Sequence, residues 1–174
     1  MQVPPWSASV GSESKKRAFT DGTMQPIELF HAHSRPDGRR LRLVGKEQRD
    51  SVVLEGQVLE AQYEHRGNYL LFTTGDCPFE ESLSVYYLCP RLRVLDEIEL
   101  GAPYSTGEFS RHRIAGEDTG EFSFFEDDLW RLTVRTRPRL RLELPAIIWR
   151  RPKGLRFRSR DCLGYRYIRL RSLQ

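Results

Sequence analysis

The sequence predicts a mainly β protein with little helix, either an antiparallel β-sandwich or a closed β-barrel of roughly ten strands. Short runs rich in Val, Leu, Ile, Phe and Tyr recur from Pro26 onward, as in Asn68–Thr73 and Leu83–Leu88. Turn-forming residues separate them, and no helical pattern of about 10 to 15 residues intervenes. That last observation excludes the alternation of strands and helices that a doubly wound α/β fold requires. No repeat is visible at a fixed period of about 20 to 50 residues, so a propeller or solenoid is disfavoured.

Taken in order, residues 1–24 read as a polar N-terminal tail: Pro4 and Pro5, several Ser, then Lys15, Lys16 and Arg17, with no sustained periodicity. Residues 25–174 are expected to form a single all-β domain, a length at which folding buries roughly 70 % of the unfolded chain's surface. The first strand spans Pro26–Ala32 and ends in the turn Pro36-Asp37-Gly38; the next is Arg40–Val44. Ser51–Glu64 reads as one long strand. It turns through His65-Arg66-Gly67-Asn68 into Asn68–Thr73, with Tyr63 expected opposite Tyr69 and positive φ angles at Gly67 and Asn68. Thr74-Gly75-Asp76 leads to Leu83–Leu88, followed by Leu92–Leu100. Ala115-Gly116-Glu117-Asp118 is a turn, and Glu121–Phe125 and Leu129–Leu144 form a hairpin around Glu126-Asp127-Asp128 that joins Phe122 and Phe124 to Trp130 and Leu132. Leu155–Arg158 and Tyr165–Arg171 complete the set.

Charge is distributed unevenly. Residues 131–174 hold 14 of the 28 Lys and Arg residues but only two acids, Glu143 and Asp161, for a local balance of +12; the whole chain is +4, so residues 1–130 carry −8. Arg131, Arg135, Arg137, Arg139 and Arg141 alternate with Leu132, Val134, Leu140 and Leu142, which on an extended backbone separates guanidinium groups from apolar ones. Arg156, Arg158 and Arg160, then Arg166, Arg169 and Arg171, extend the basic face. Phe157, Tyr165, Tyr167 and Trp149 interleave with it, as stacking platforms in single-strand binders do. The competing explanation is that these arginines are the polar side of a half-exposed strand, paired with acids such as Glu121, Asp127, Asp128 or Glu99. Pro138, which cannot donate to a ladder, points to an edge strand or a bulge.

Chemistry beyond charge is thin. His31-Ala32-His33 places two imidazoles on one face, and with Asp37 sketches a metal set, although Ser34–Gly38 reads more simply as the turn leaving the strand. Cys77 sits among Asp76, Glu80 and Glu81, whose negative charge raises a thiol's pKa and suppresses the thiolate. Gly101–Gly107 lacks the Lys-Ser/Thr of a phosphate loop, and nothing matches GxGxxG or GxSxG. No RNP-like motif, zinc-finger spacing or helix-turn-helix pattern accompanies the basic run. Neither Leu70–Pro78 nor Arg137–Leu142 resembles a known family.

The expectation is therefore a non-catalytic interaction module with no cofactor and no bound metal. It binds an acidic protein partner through a C-terminal face of Arg131, Arg135, Arg137, Arg139, Arg141, Arg156 and Arg158. One alternative is nonspecific nucleic-acid binding by the same face. Another is a small-ligand or metal-dependent β-barrel enzyme using His31 and His33. Cys77, Cys89 and Cys162 form an odd set without a CxxC pair, and no N-terminal run is apolar enough for a signal peptide or membrane span, so a reducing cytoplasm is the expected setting.

Overall fold

The computed structural model describes residues 22–45, 50–77, 81–101, 105–125, 128–142, 155–156 and 163–173. Among them the chain forms β-strands and no helix: β1 Gln25–Pro26, β2 Phe30–Ser34, β3 Arg40–Gly45, β4 Ser51–Glu55, β5 Val58–His65, β6 Asn68–Thr74, β7 Ser82–Leu88, β8 Val94–Gly101, β9 Ser110–Gly116, β10 Thr119–Ser123, β11 Leu129–Leu142, β12 Leu155–Arg156 and β13 Leu163–Ser172. They assemble into a six-stranded sheet in the order β1-β5-β6-β7-β8-β12, a four-stranded sheet β13-β11-β10-β9, and a three-stranded sheet β2-β3-β4, all antiparallel. Each sheet has two ends, so the sandwich expectation holds and the closed barrel does not. A housing in a barrel mouth for His31 and His33 falls with it.

The six-stranded sheet is the middle layer. Its strands β6 and β7 are apolar on both faces, and alternate residues enter different cores. Leu70, Phe72, Leu83, Val85 and Tyr87 meet Phe122, Trp130, Leu132, Val134, Ile168 and Leu170 of the four-stranded sheet. Tyr69, Leu71, Tyr86 and Leu88 meet Phe30, Leu41, Leu43 and Leu54 of the three-stranded sheet. Burying each such side chain stabilises by about 1.5–3 kcal/mol. Tyr86 adds a polar tie between layers, its hydroxyl donating to Glu55 O at 3.3 Å and accepting from Glu55 N at 3.2 Å. Burial pushes that phenol well above its usual range.

Several expectations are corrected, the first being Pro26–Ala32, which is not one strand but is divided between β1 of the six-stranded sheet and β2 of the three-stranded sheet. Ser51–Glu64 is two strands in different layers, because Gly56 adopts φ +121° and turns the chain from β4 into β5. The β5–β6 hairpin is shifted by one residue: the positive φ angles fall on Arg66 (52°) and Gly67 (74°), so Tyr63 opposes Leu70 while Tyr69 opposes Glu64. Both central residues with φ > 0 make the two-residue turn that matches strand twist. The shift matters, since side chains alternate between faces and Tyr63 and Tyr69 therefore enter different cores. Strand β9, with none of the apolar alternation that marks the others, was not anticipated. Met24, the last residue of the expected tail, is buried in the larger core.

Candidate functional site: a basic groove between β11 and β13

The basic run occupies β11 and β13, and register decides what each guanidinium meets. Arg113, Glu121, Arg131 and Arg171 lie directly opposite one another across β9, β10, β11 and β13. Arg131 donates to Glu121 Oε1 from Nε (2.9 Å) and Nη2 (2.6 Å), and Arg113 donates to Oε2 from Nε (3.0 Å) and Nη2 (2.6 Å). The two guanidinium groups cover the carboxylate, leaving its side chain 2 % exposed. The Arg131 guanidinium, with that of Arg113 next to it, holds Glu121 below the ordinary carboxylate range. Arg131 is thus half-exposed but already paired with a carboxylate, contrary to its expected place on a free face. Arg171 has no such partner among the described residues.

Farther along β11 the alternation breaks. Val134 opposes Ile168 and Arg139 opposes Arg166, so five steps along β11 match two along β13. Pro138 sits in this bulge, on an interior strand of the sheet. The odd number of extra residues reverses which parity of β11 shares a side with β13, so an even face from Arg131 to Arg141 does not form. A concave groove of ≈ 440 Å³ lies here instead. From β11 come Arg135, Arg139 and Leu140; from β13 come Arg166, Arg169 and Arg171, with Ile168 and Leu170 between them.

Arg166 anchors the groove. It points inward and donates from Nη1 to Asp96 Oδ1 (2.8 Å) and to Glu97 O (3.0 Å). Asp96 Oδ2 accepts from the backbone N–H groups of both Tyr167 (2.7 Å) and Ile168 (2.8 Å). Consecutive N–H groups of a regular strand point to opposite sides; here both reach one carboxylate, at the place where the bulge interrupts the ladder. Arg166 is therefore another internally neutralised member of the expected face. By contrast, Arg135, Arg137, Arg139, Arg169 and Arg171 form no ion pair with a carboxylate among the described residues.

The remaining expected residues separate. Arg137 is exposed within the bulge but does not line the groove. The backbone of Arg156 belongs to the six-stranded sheet, opposite Glu99, and not to the sheet that carries β11. Arg158, Phe157 and Trp149 lie outside the described residues, as do the side chains of Arg141 and Tyr165. The Tyr167 ring packs 5.6 Å from that of Tyr87, turned to the core. No aromatic ring among the described residues lines the groove.

Other candidate chemistry is dispersed. His31 and His33 are exposed on the outer strand β2, and His33 lies opposite Arg42. Asp37 is engaged elsewhere: it accepts from the N–H of Arg39 (3.1 Å) and from Arg40 Nε (2.7 Å), which together hold its carboxyl below the usual range. Among the described residues no three His, Cys, Asp or Glu side chains are grouped as a metal site needs. His65, read from the sequence as a turn residue, is fully buried between Asp118 Oδ1 (2.6 Å from Nε2) and Tyr87 Oη (3.3 Å from Nδ1). Asn68 donates to the same Tyr87 oxygen at 3.1 Å, so the chain of hydrogen bonds is complete within itself and ties the β5–β6 turn to the β9–β10 turn.

Fold and site together define a three-layer antiparallel β protein carrying a basic groove at a bulged strand pair. No family model matches the chain, and neither a curated protein nor a solved structure is similar to it. Among the described residues no helix is long and apolar enough to cross a membrane.

Proposed function

We propose that this protein is a non-catalytic interaction module whose β11–β13 groove receives an acidic segment of a partner protein. The observation that carries the reading is the convergence of Arg135, Arg139, Arg169 and Arg171, none in an ion pair among the described residues, on one concave surface. Like charges held together repel, so an entering anion relieves them. Guanidinium forks match carboxylates in bidentate geometry. Among the described residues the groove lining consists of Arg, Leu and Ile. That composition suits the binding of anions. An exposed free thiol at Cys77 fits the reducing cytoplasm proposed as its setting.

The test is titration of the full chain into a fluorescent poly-Glu peptide and into labelled single- and double-stranded oligonucleotides, at about 50 and 200 mM salt. The proposal expects peptide binding at low salt that is lost in an Arg139→Glu, Arg169→Glu variant. No peptide binding at low salt removes it. Oligonucleotide binding with a steep salt slope, in preference to the peptide, would replace it with the nucleic-acid reading.

A further inference from the structure

We infer that the occupant of the groove is an acidic peptide segment carrying an apolar side chain between its carboxylates, recognised by Leu140 together with the surrounding guanidinium groups. The inference rests on the reading above and narrows it from an acidic partner to a mixed acidic and apolar one. Leu140 is 57 % exposed, whereas the other exposed large apolar side chains among the described residues, Val53, Val58, Val94 and Ile114, lie between 37 and 39 %. Its exposure follows from the bulge: even-numbered Leu132 and Val134 are buried in the core, but after the register shift Leu140 lies on the opposite parity and lines the groove. The stems of Arg139 and Arg169, which also line the groove, add aliphatic surface beneath their charged heads.

A chain of phosphates would satisfy the guanidinium groups and leave Leu140 in water. A nucleic-acid strand would gain affinity by stacking bases, yet no aromatic ring among the described residues lines the groove and the Tyr167 ring is turned to Tyr87. A peptide with Leu flanked by Asp and Glu meets both demands, with carboxylates on Arg135, Arg139, Arg169 and Arg171 and its apolar side chain on Leu140. Charge complementarity supplies the attraction, and the exposed leucine supplies the selection among acidic sequences.

The experiment compares two short labelled peptides by fluorescence polarisation on the full chain: one of Asp and Glu with a single central Leu, the other with Ser in its place. A labelled oligonucleotide serves as the third probe. The Leu peptide should bind about ten-fold tighter than the Ser peptide, as expected for a largely buried leucine. In a Leu140→Ser variant that preference should vanish while affinity for the Ser peptide changes by less than about two-fold. Equal affinity of the two peptides for the unaltered protein, with binding still lost in Arg139→Glu, overturns this inference and leaves the interaction reading standing. Tighter binding of the oligonucleotide than of either peptide overturns it as well. Failure of both peptides to bind sinks the underlying reading itself. The comparison of peptides on the unaltered protein needs no variant to fold.

Discussion

Asp96 and Arg166, 70 residues apart on β8 and β13, form an ion pair at 2.8 Å between two different sheets, with side chains 2 % and 7 % exposed. The same carboxylate holds the N–H groups of Tyr167 and Ile168. One acidic residue therefore closes the seam between the middle and four-stranded layers at the strand that borders the groove. A buried pair of this kind adds little compared with an apolar replacement, but removing one member strands the other. Asp96→Ala should lower unfolding stability by about 3–5 kcal/mol in urea titrations. Adding Arg166→Met should recover part of that loss, and a single variant as stable as the parent would refute the assigned role.

Gly56 faces a steric limit of a different kind. At its φ of +121°, an added Cβ would lie 2.7 Å from Thr73 Oγ1. That hydroxyl cannot simply swing aside, since it donates to Glu55 O at 2.8 Å. Gly56→Ala should cost about 1–3 kcal/mol in thermal unfolding. Thr73→Ala should recover only part of that loss, because it removes Oγ1 but keeps the Thr73 Cβ, which would lie 2.8 Å from the added atom.

The Arg113–Glu121–Arg131 row makes stability depend on acid. Folding holds Glu121 below its ordinary value of 4.5, chiefly through Arg131 and then Arg113. Its contribution is thus fully present above pH 4.5 and is lost as the pH falls through the lowered folded value. Melting temperatures of the parent and of Glu121→Gln, measured from neutral pH downward, should differ most above that point and converge in acid. A constant gap at every pH would contradict the assignment.

Not all the arginines of the basic run should behave alike. Charge reversal at Arg139 or Arg169, both exposed and without an ion pair among the described residues, should abolish peptide binding while changing stability by no more than about 0.5 kcal/mol. Arg131→Glu should do the reverse, setting a second carboxylate against Glu121 and lowering the melting temperature. Circular dichroism melts beside the binding titrations separate the two groups, and equal loss of fold at Arg139 would show that residue to be structural.

Much of the architecture was legible because local patterning carries it. Asn68–Thr73 and Leu83–Leu88 stand out as strands since β-branched, aromatic and aliphatic residues crowd between turn residues, and they are the central strands β6 and β7. Pro138 pointed to an edge or a bulge on steric grounds alone, and it lies in a bulge. Glu121 was among the acids named as a neutraliser of the arginines, and it takes both Arg113 and Arg131. The one-residue shift at the Arg66-Gly67 turn was not legible, because Gly67 satisfies either neighbour as its partner in positive φ.

What the sequence by itself determined is the inventory: a β protein, the positions of most strands, and a terminal third in which cations outnumber anions. These follow from alternation and turn chemistry, which are properties of neighbouring residues. Only the tertiary structure decided that a third sheet covers β6 and β7 from behind, that Asp96 and Glu121 claim Arg166 and Arg131, and that Arg135, Arg139, Arg169 and Arg171 remain around a groove beside Leu140. The reason is physical. Which carboxylate reaches which guanidinium depends on register, on a three-residue bulge and on the stacking of sheets, and each of these is set by contacts between residues tens of positions apart.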